Sequence, residues 1–583
     1  MQQTSICNLT VADYQPLNRN AGGYTEKMLR GLRCLYLLAL AGAWLGAREP
    51  VRFQKAMVVA QEAHATDVGR DVLKAGGNAV DAAVAVGFAL AVTYPTAGNL
   101  GGGGFLLLRM ADGRTTFIDF RERAPLASTR NMYLDAAGNV TKDSILGWRA
   151  AGVPGTVRGL ELAHKKYGSK PWARLVEPAV KLAGKGFEIS DYAARSFREA
   201  KNLPQFLESK RIFLKNGAYF LAGDKLVQPE LSAVLKRIGK LGARDFYEGE
   251  TARLLAEQCK LNGGLITLED LKQYKAVERP ALKGSYKGYE VITAPPPSSG
   301  GVGLLQMMAV LEGSGYEKSG AESAKSIHFL AETMRRYYAD RSEHLADPDF
   351  HKVPLSGLLD RTYIDKLRGS IDWDHAAPSA LVKPGIPTAP ESTETTNFSI
   401  VDAMGNAAVL TYTLNGNYGS GVAVPKLGFL LNNEMDDFSV KPGTPNMFQL
   451  VQGEANAIQP KKTPLSAMTP TILLKDGKVR MLVGAPGGGR IITGVLQVIL
   501  NVVDYGMNLQ EAIDAPRFHH QWLPDKLYLE KGFSPDTIEL LKQRGHATEP
   551  IEGVAAVNGI MIGAEGWMYG AWDGRRDGKV SGY

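Results

Sequence analysis

The sequence predicts an α+β protein in which antiparallel sheets stack between layers of helix. Two observations carry that expectation. Strand-turn-strand patterns recur at 105–120, 396–414 and 470–486, and apolar stretches with helical periodicity flank them, so that helices cover the outer faces of the sheets.

The elements follow in order along the chain. From Met28, Arg30 and Arg33 precede an apolar run from Cys34 to Leu45 that ends in small residues near Ala47, the pattern of a secretory signal peptide. About 12 apolar residues fall short of the ~20 needed to cross a bilayer. Residues 1–47 are therefore expected to be a leader, and the protein to be periplasmic or secreted. Residues 67–74 and 78–92 read as two helices parted by Gly76-Gly77, with Asn78 as cap and Asp81 at the third helical position. A hairpin follows through the turn Ala111-Asp112-Gly113, which leaves Arg121 at a strand exit. Residues 150–360 read as mainly helical, interrupted by the loop APPPSSGG (294–301). The tyrosines and arginines of MRRYYADR (334–341) are expected to pack and pair within this region. The tract 377–394, rich in Pro, Ser and Thr, reads as an exposed linker. Beyond it, Asp476-Gly477 makes a tight turn between strands, and Gly487-Gly488-Gly489 opens an apolar helix at 491–503.

Composition narrows the function. Apolar and charged contents of 44% and 22% belong to an ordinary globular protein. The net charge of +7 falls to +5 once the leader's four basic and two acidic residues are set aside, and no basic block or aromatic-basic stripe marks a nucleic-acid surface. Cys7 and Cys34 lie in the leader, so Cys259 is left with no partner for an internal disulfide. His519-His520 are adjacent on a strand, point apart and lack a third ligand at metal spacing, which favours a structural role.

The most informative position is Thr395, where the linker ends. Residues 396–402 read as a strand, 403–406 as a turn and 407–414 as the returning strand. Pairing about a turn centred near 404 sets Thr395 opposite Thr413, with Asn415 just beyond, at about 4.5–5.5 Å. A threonine hydroxyl is a poor nucleophile until a base takes its proton, and a free amine on the same residue supplies one. That amine exists only if the bond after Glu394 is cut.

From Thr395 onward the chain resembles the γ-glutamyltransferase family, carried by TTNFSIVDAMGNAAVLTYTLN (395–415), LLNNEMDDFSVKPG (430–443), PLSAMTPT (464–471), GAPGGGRII (484–492) and APRFHHQWLPD (515–525). Upstream, AGGNAVDAAVA (75–85), GNLGGGGF (98–105), DFRERAP (119–125) and PPPSSGG (295–301) extend it over nearly everything after residue 57. The resemblance implies an N-terminal nucleophile hydrolase fold, a four-layer αββα sandwich. It implies a large subunit over 48–394 and a small one of 189 residues (583 − 394) over 395–583, formed by self-cleavage between Glu394 and Thr395. It further implies that Thr395 is nucleophile and base, that Thr413 orients it, and that Gly487 and Gly488 form the oxyanion hole. Seen alone, such a glycine turn equally suits a phosphate. The γ-glutamyl group carries a carboxylate, assigned by resemblance to Arg121 and Ser466, and an ammonium, assigned to Asn415, Glu434 and Asp437.

The implied substrates are glutathione and other γ-glutamyl compounds, with water, amino acids or dipeptides as acceptors; neither cofactor nor metal is called for. Three positions depart from the family pattern. Ala467 stands where a second serine usually holds the carboxylate, Phe448 where a lid tyrosine is common, and Asn397 where a histidine often follows the nucleophile. Two other readings stay open: an acylase acting on a glutaryl side chain, and a non-catalytic relative that never matures.

Overall fold

The computed structural model describes residues 48–385 and 396–583; the leader, the distal linker and Glu394-Thr395 lie outside them. Two seven-stranded sheets make the centre of the unit Glu49–Tyr583. One runs from edge to edge as Lys579–Gly582, Met57–Ala60, Thr396–Val401, Ala407–Thr413, Gly103–Arg109, Thr115–Asp119 and Val277–Arg279. The other runs as Val51–Phe53, Met568–Ala571, Asn558–Ile562, Lys478–Gly484, Thr471–Lys475, Tyr289–Thr293 and Leu282–Tyr286. Each sheet contains strands from both halves of the sequence, so neither half makes a sheet alone.

The period-two alternation of the strands explains the layering. Val59, Leu107 and Val409 of the first sheet point inward, against Ile472, Leu482 and Ile560 of the second. Their neighbours Val58, Leu106, Leu108 and Leu410 point the other way, into a core shared with the helices Ala63–Lys74 and Ala79–Thr93. On the far side, Leu473, Met481 and Val483 pack against Leu304, Met308, Ile491 and Val495 of the helices Gly300–Leu311 and Arg490–Val503. Three apolar interlayers between helix, sheet, sheet and helix give the αββα order. Strands buried on both faces explain why these segments read as continuous apolar runs.

The predicted capping box is present. Asn78 accepts from the Val80 and Asp81 amides, and the Asp81 carboxylate accepts from Asn78 N at 2.9 Å. The adjacent Ala79 amide donates to Asp402 Oδ2 at 2.8 Å, which ties this helix start to the turn of the 396–413 hairpin. Among the described residues no helix is long and apolar enough to cross a membrane.

Two expectations need correction. The aromatic-basic run does not pair only within the first half: Tyr338 donates to the Gly489 carbonyl, and Arg335 pairs with Asp525. These side chains face a core built from residues far apart in sequence, which helical spacing cannot reveal. Nor is the linker exposed from its start. Ser379 is buried, its amide donates to Asp525 Oδ2 at 2.7 Å, and Trp522 Nε1 donates to the carbonyls of Ser379 and Val382. Composition marked the tract as loop, whereas specific backbone partners fix its first part. Residues 386–394 lie outside the described residues.

Candidate active site

The hairpin that follows position 395 has a defined register. Thr396 pairs with Tyr412, Phe398 with Leu410 and Val401 with Ala407. Asp402 sets the turn, its Oδ1 accepting from the amides of Met404 and Asn406, each at 2.9 Å. The returning strand ends at Thr413, which pairs with Gly103. Thr413 Oγ1 accepts from the Asn415 amide at 2.7 Å, and Asn99 Nδ2 donates to the Thr413 carbonyl at 2.7 Å. A Cβ on Gly102 would stand 2.0 Å from that same carbonyl, so only glycine lets the GNLGGGGF segment pass so close.

Asn415 leads onward. Its Nδ2 donates to the Asn433 carbonyl at 3.0 Å, beside the short helical turn Glu434–Asp437. Arg121, 2% exposed at its strand exit, reaches into this turn. Its Nη1 lies 2.6 Å from Glu434 Oε1 and its Nη2 2.5 Å from Asp437 Oδ2. Nε and Nη2 also donate to the carbonyls of Pro464 and Leu465, at 3.3 and 3.2 Å. Ser466 comes next; its amide donates to the Pro297 carbonyl and its own carbonyl accepts from the Ser299 amide. The PPPSSGG loop thus positions Ser466. Ala467 beside it is buried and offers no hydroxyl.

Acceptors outnumber donors in this pocket. Glu122, absent from the predicted set although it follows Arg121, is fully buried, and its Oε2 is 3.9 Å from Arg121 Nη1. One guanidinium therefore faces three buried carboxylates. Among the described residues no hydrogen-bond donor reaches either Glu122 oxygen, Glu434 Oε2, Asp437 Oδ1 or Asn415 Oδ1. Burial raises the pKa of all three acids and Arg121 opposes that rise in each, while Glu434 pushes Glu122 and Asp437 further up. Buried acceptors left without donors are costly, and a cationic donor is the group that would satisfy them. Asp436 is engaged elsewhere, its oxygens accepting from Ser144 Oγ and the Met447 amide.

The glycine turn lies at the other side of the hairpin. Thr396 Oγ1 donates to Gln61 Oε1 at 2.9 Å, Gln61 Nε2 donates to the Ala556 carbonyl, and the Ala556 amide donates to the Pro486 carbonyl at 3.1 Å. Gly487 and Gly488 then take φ of 142° and 70°, conformations that favour glycine, before the helix Arg490–Val503 begins. Among the described residues neither amide has an acceptor, which leaves two N–H groups at a helix start.

Residues 440–462, the segment expected to hold the lid position, are mainly loop with one short helical turn at Glu454–Asn456. Phe448 is half-buried, and Gln521 Nε2 donates to the Phe448 and Gln449 carbonyls at 3.4 and 3.3 Å, so the segment is held by its backbone where no hydroxyl is available. Asn397 is buried between Thr411 Oγ1 and the Asn558 amide group, each at 2.9 Å, in a polar seam joining the two sheets. His519 and His520 have separate partners, Thr493 and Gln521 for the first and Asp525 for the second.

A family model described as gamma-glutamyltranspeptidase matches residues 65–583. The chain is 50% identical over 538 residues to the glutathione hydrolase proenzyme of Escherichia coli, covering 92% of this chain and 93% of that one. Among solved structures, cephalosporin acylase from Bacillus halodurans superposes with a TM-score of 0.82 at 26% identity, over 93% of this chain and 98% of its own. Helicobacter pylori gamma-glutamyltranspeptidase gives a TM-score of 0.55 at 44% identity, over 58% of this chain and 96% of its own. The two stacked sheets between helical layers are the N-terminal nucleophile hydrolase fold, and the chain belongs to the γ-glutamyltranspeptidase family.

Proposed function

We propose that this chain is an exported, self-cleaving γ-glutamyl transferase and glutathione hydrolase. The observation that carries the proposal is the buried Arg121 among three carboxylates, with acceptors left over for an ammonium. A γ-glutamyl end group bears both charges that such a pocket takes. Its carboxylate would share Arg121 and the Ser466 hydroxyl, and its ammonium would meet Asp437, Glu434 and the Asn415 amide oxygen. One further residue at the observed register would set Thr395 opposite Thr413. The Thr395 oxygen would first attack the Glu394 carbonyl, turning the amide into an ester that water opens. A solved relative matched over 96% of its own length spans only 58% of this chain, close to the share of a separate large subunit of 347 residues (394 − 47).

In turnover the same oxygen attacks the γ-carbonyl, and the freed α-amine, with a reference pKa near 7.7–8.0, takes the hydroxyl proton. The oxyanion rests on the Gly487 and Gly488 amides. As the C–N bond breaks, the amine passes its proton to the leaving nitrogen. Water or an acceptor amine then attacks the ester, the C–Oγ bond breaks, and the attacking group's proton returns to Oγ.

The glutaryl-acylase reading is the competitor, because an acylase shares the fold. Glutaryl lacks the ammonium and would leave Asp437 Oδ1 and Glu434 Oε2 without a donor, at about 1–3 kcal/mol or more for each buried acceptor left unsatisfied. The ratio of kcat/KM on γ-glutamyl against glutaryl p-nitroanilide is expected to exceed about 10² at pH 8. Because burial raises the pKa of both acids, they lose their charge as pH falls, and this ratio should shrink on acidification. Equal rates at pH 8 would favour the acylase.

Gly487→Ala tests the oxyanion role. A Cβ there would stand 2.6 Å from Ala555 Cα, and its φ of 142° is strained for alanine, so the turn must move. Loss of one oxyanion donor is expected to lower kcat by about 10²–10³, with KM for the anilide changed far less. An unchanged kcat would refute the assignment.

A further inference from the structure

Two adjacent tyrosines on the helix Ala324–His344 reach two different walls of the site, and no role above uses them. Consecutive residues of a helix point about 100° apart, so Tyr337 and Tyr338 serve different loops. Tyr337 donates to the Ser299 carbonyl at 3.2 Å, and the Ser299 amide donates in turn to the Ser466 carbonyl at 2.8 Å. Tyr338 donates to the carbonyl of Gly489, the last residue of the glycine turn. Its buried ring is fixed from three directions. Tyr337 meets it edge-on at 5.0 Å between centroids, His519 does so at 5.5 Å, and the Arg341 guanidinium carbon stands 5.4 Å from its centre. The hydroxyl is thereby aimed at the turn.

The turn needs such support. Gly487 and Gly488 carry no side chain that packing could grip, and a glycine backbone populates many conformations with similar ease. Their amides hold one direction only if the carbonyls at either end of the turn are held. One hold comes from the later part of the chain, where the Ala556 amide donates to the Pro486 carbonyl at 3.1 Å. The other is Tyr338 at Gly489, from the part before Thr395. We propose that Tyr338 is a positioning residue for the oxyanion hole, its hydroxyl fixing through the Gly489 carbonyl the direction in which the Gly487 and Gly488 amides point. The inference rests on the γ-glutamyl reading above. Donors fixed in advance stabilise a developing oxyanion with no cost of reorganisation, so Tyr338 acts on the tetrahedral state and leaves the bound ground state alone. Tyr337 is the internal control. Through Ser299 and Ser466 it supports the carboxylate end, which ground state and transition state use alike.

The test compares two competitive inhibitors: glutamate, and its analogue with a boronic acid in place of the γ-carboxyl group. In the analogue the Thr395 oxygen adds to boron and its proton passes to the α-amine. Boron becomes tetrahedral and negatively charged, with one hydroxyl where the oxyanion would stand. Tyr338→Phe removes only the phenol oxygen and is expected to weaken the boronate by about 10- to 100-fold, short of the loss of a whole donor. Glutamate affinity should change by less than about twofold, since it makes no oxyanion. Tyr337→Phe should weaken both ligands alike, by about 2- to 10-fold, the worth of one neutral hydrogen bond. The ratio of the two inhibition constants is taken within one enzyme, so partial loss of folded protein cancels. Should Tyr338→Phe fail to fold, Tyr338→His, whose shorter ring cannot reach the same carbonyl, is measured in its place with the same fall expected. A Tyr338 variant that binds the boronate as wild type does, or that weakens both ligands equally, overturns the inference. Folded chains that stay uncut in both variants would place the tyrosine in self-cleavage alone and overturn it equally. Failure of the γ-glutamyl reading looks different: wild type itself would bind neither ligand and release no nitroaniline from γ-glutamyl-p-nitroanilide.

Discussion

Thr395→Ala is expected to yield one uncut polypeptide after leader removal, with no measurable turnover. The expectation follows from the proposal that a single oxygen performs both acts. Without Oγ nothing attacks the Glu394 carbonyl, so the 394–395 bond persists and no α-amine is released. Restoring the cut by other means would still leave no nucleophile. Loss of a catalytic hydroxyl in acyl-transfer enzymes costs on the order of 10⁶ in rate, which here would place activity below detection. Thr395→Ser should restore both functions in part, because it keeps the oxygen and loses only the methyl that restricts χ1. A denaturing gel and intact-mass measurement report the cut, and nitroaniline release reports turnover. An alanine variant that is cleaved and active would remove the foundation of the mechanism.

The sequence made the scaffold of this site legible where signals are local. The 396–413 hairpin, the Asn78–Asp81 capping box and the glycine turn before Arg490–Val503 all depend on residues within a few positions of one another, and all are found as expected. Partners distant in the chain were less legible. Resemblance assigns Arg121 to a substrate carboxylate, and the structure adds that its fork is already shared between Glu434 and Asp437, more than 300 positions away. Glu122 stands next to Arg121 in DFRERAP, where alternation along a strand would turn it to the opposite face. At the strand exit that alternation lapses, and both side chains enter the same pocket. Asn99 and the PPPSSGG serines likewise carried no chemical signature. Their work is to hold Thr413 and Ser466 in place through backbone carbonyls and amides, which pattern alone does not expose.

The crowding of acids around Arg121 leads to the second large effect. Arg121→Met keeps roughly the volume of the side-chain stem and removes the charge, leaving Glu122, Glu434 and Asp437 buried with no counter-ion. Breaking a buried ion pair by removing one partner costs about 3–5 kcal/mol, and here one partner serves two acids directly. At pH 8 the variant should unfold at a markedly lower temperature than wild type. The pH dependence distinguishes this cause from simple loss of packing. In the native protein burial already holds the three carboxyls above their ordinary pKa, and Arg121 opposes that rise. Without Arg121 they rise further, so the folded state binds more protons than the unfolded chain over the interval between the two sets of pKa values. Stability then falls as pH rises through that interval, by about 1.4 kcal/mol per pH unit for each group titrating, and recovers on acidification. The deficit relative to wild type should therefore narrow steadily from pH 8 toward pH 5. Activity should not recover in parallel, because neutral carboxyls restore the fold without restoring a site for the substrate carboxylate. A loss of kcat/KM of about 2–5 kcal/mol, the usual cost of truncating one partner of a buried charge pair, should persist at every pH. Melting curves and anilide kinetics measured side by side at each pH separate the two effects, and a stability deficit that does not change with pH would show that the acids are compensated by something other than Arg121.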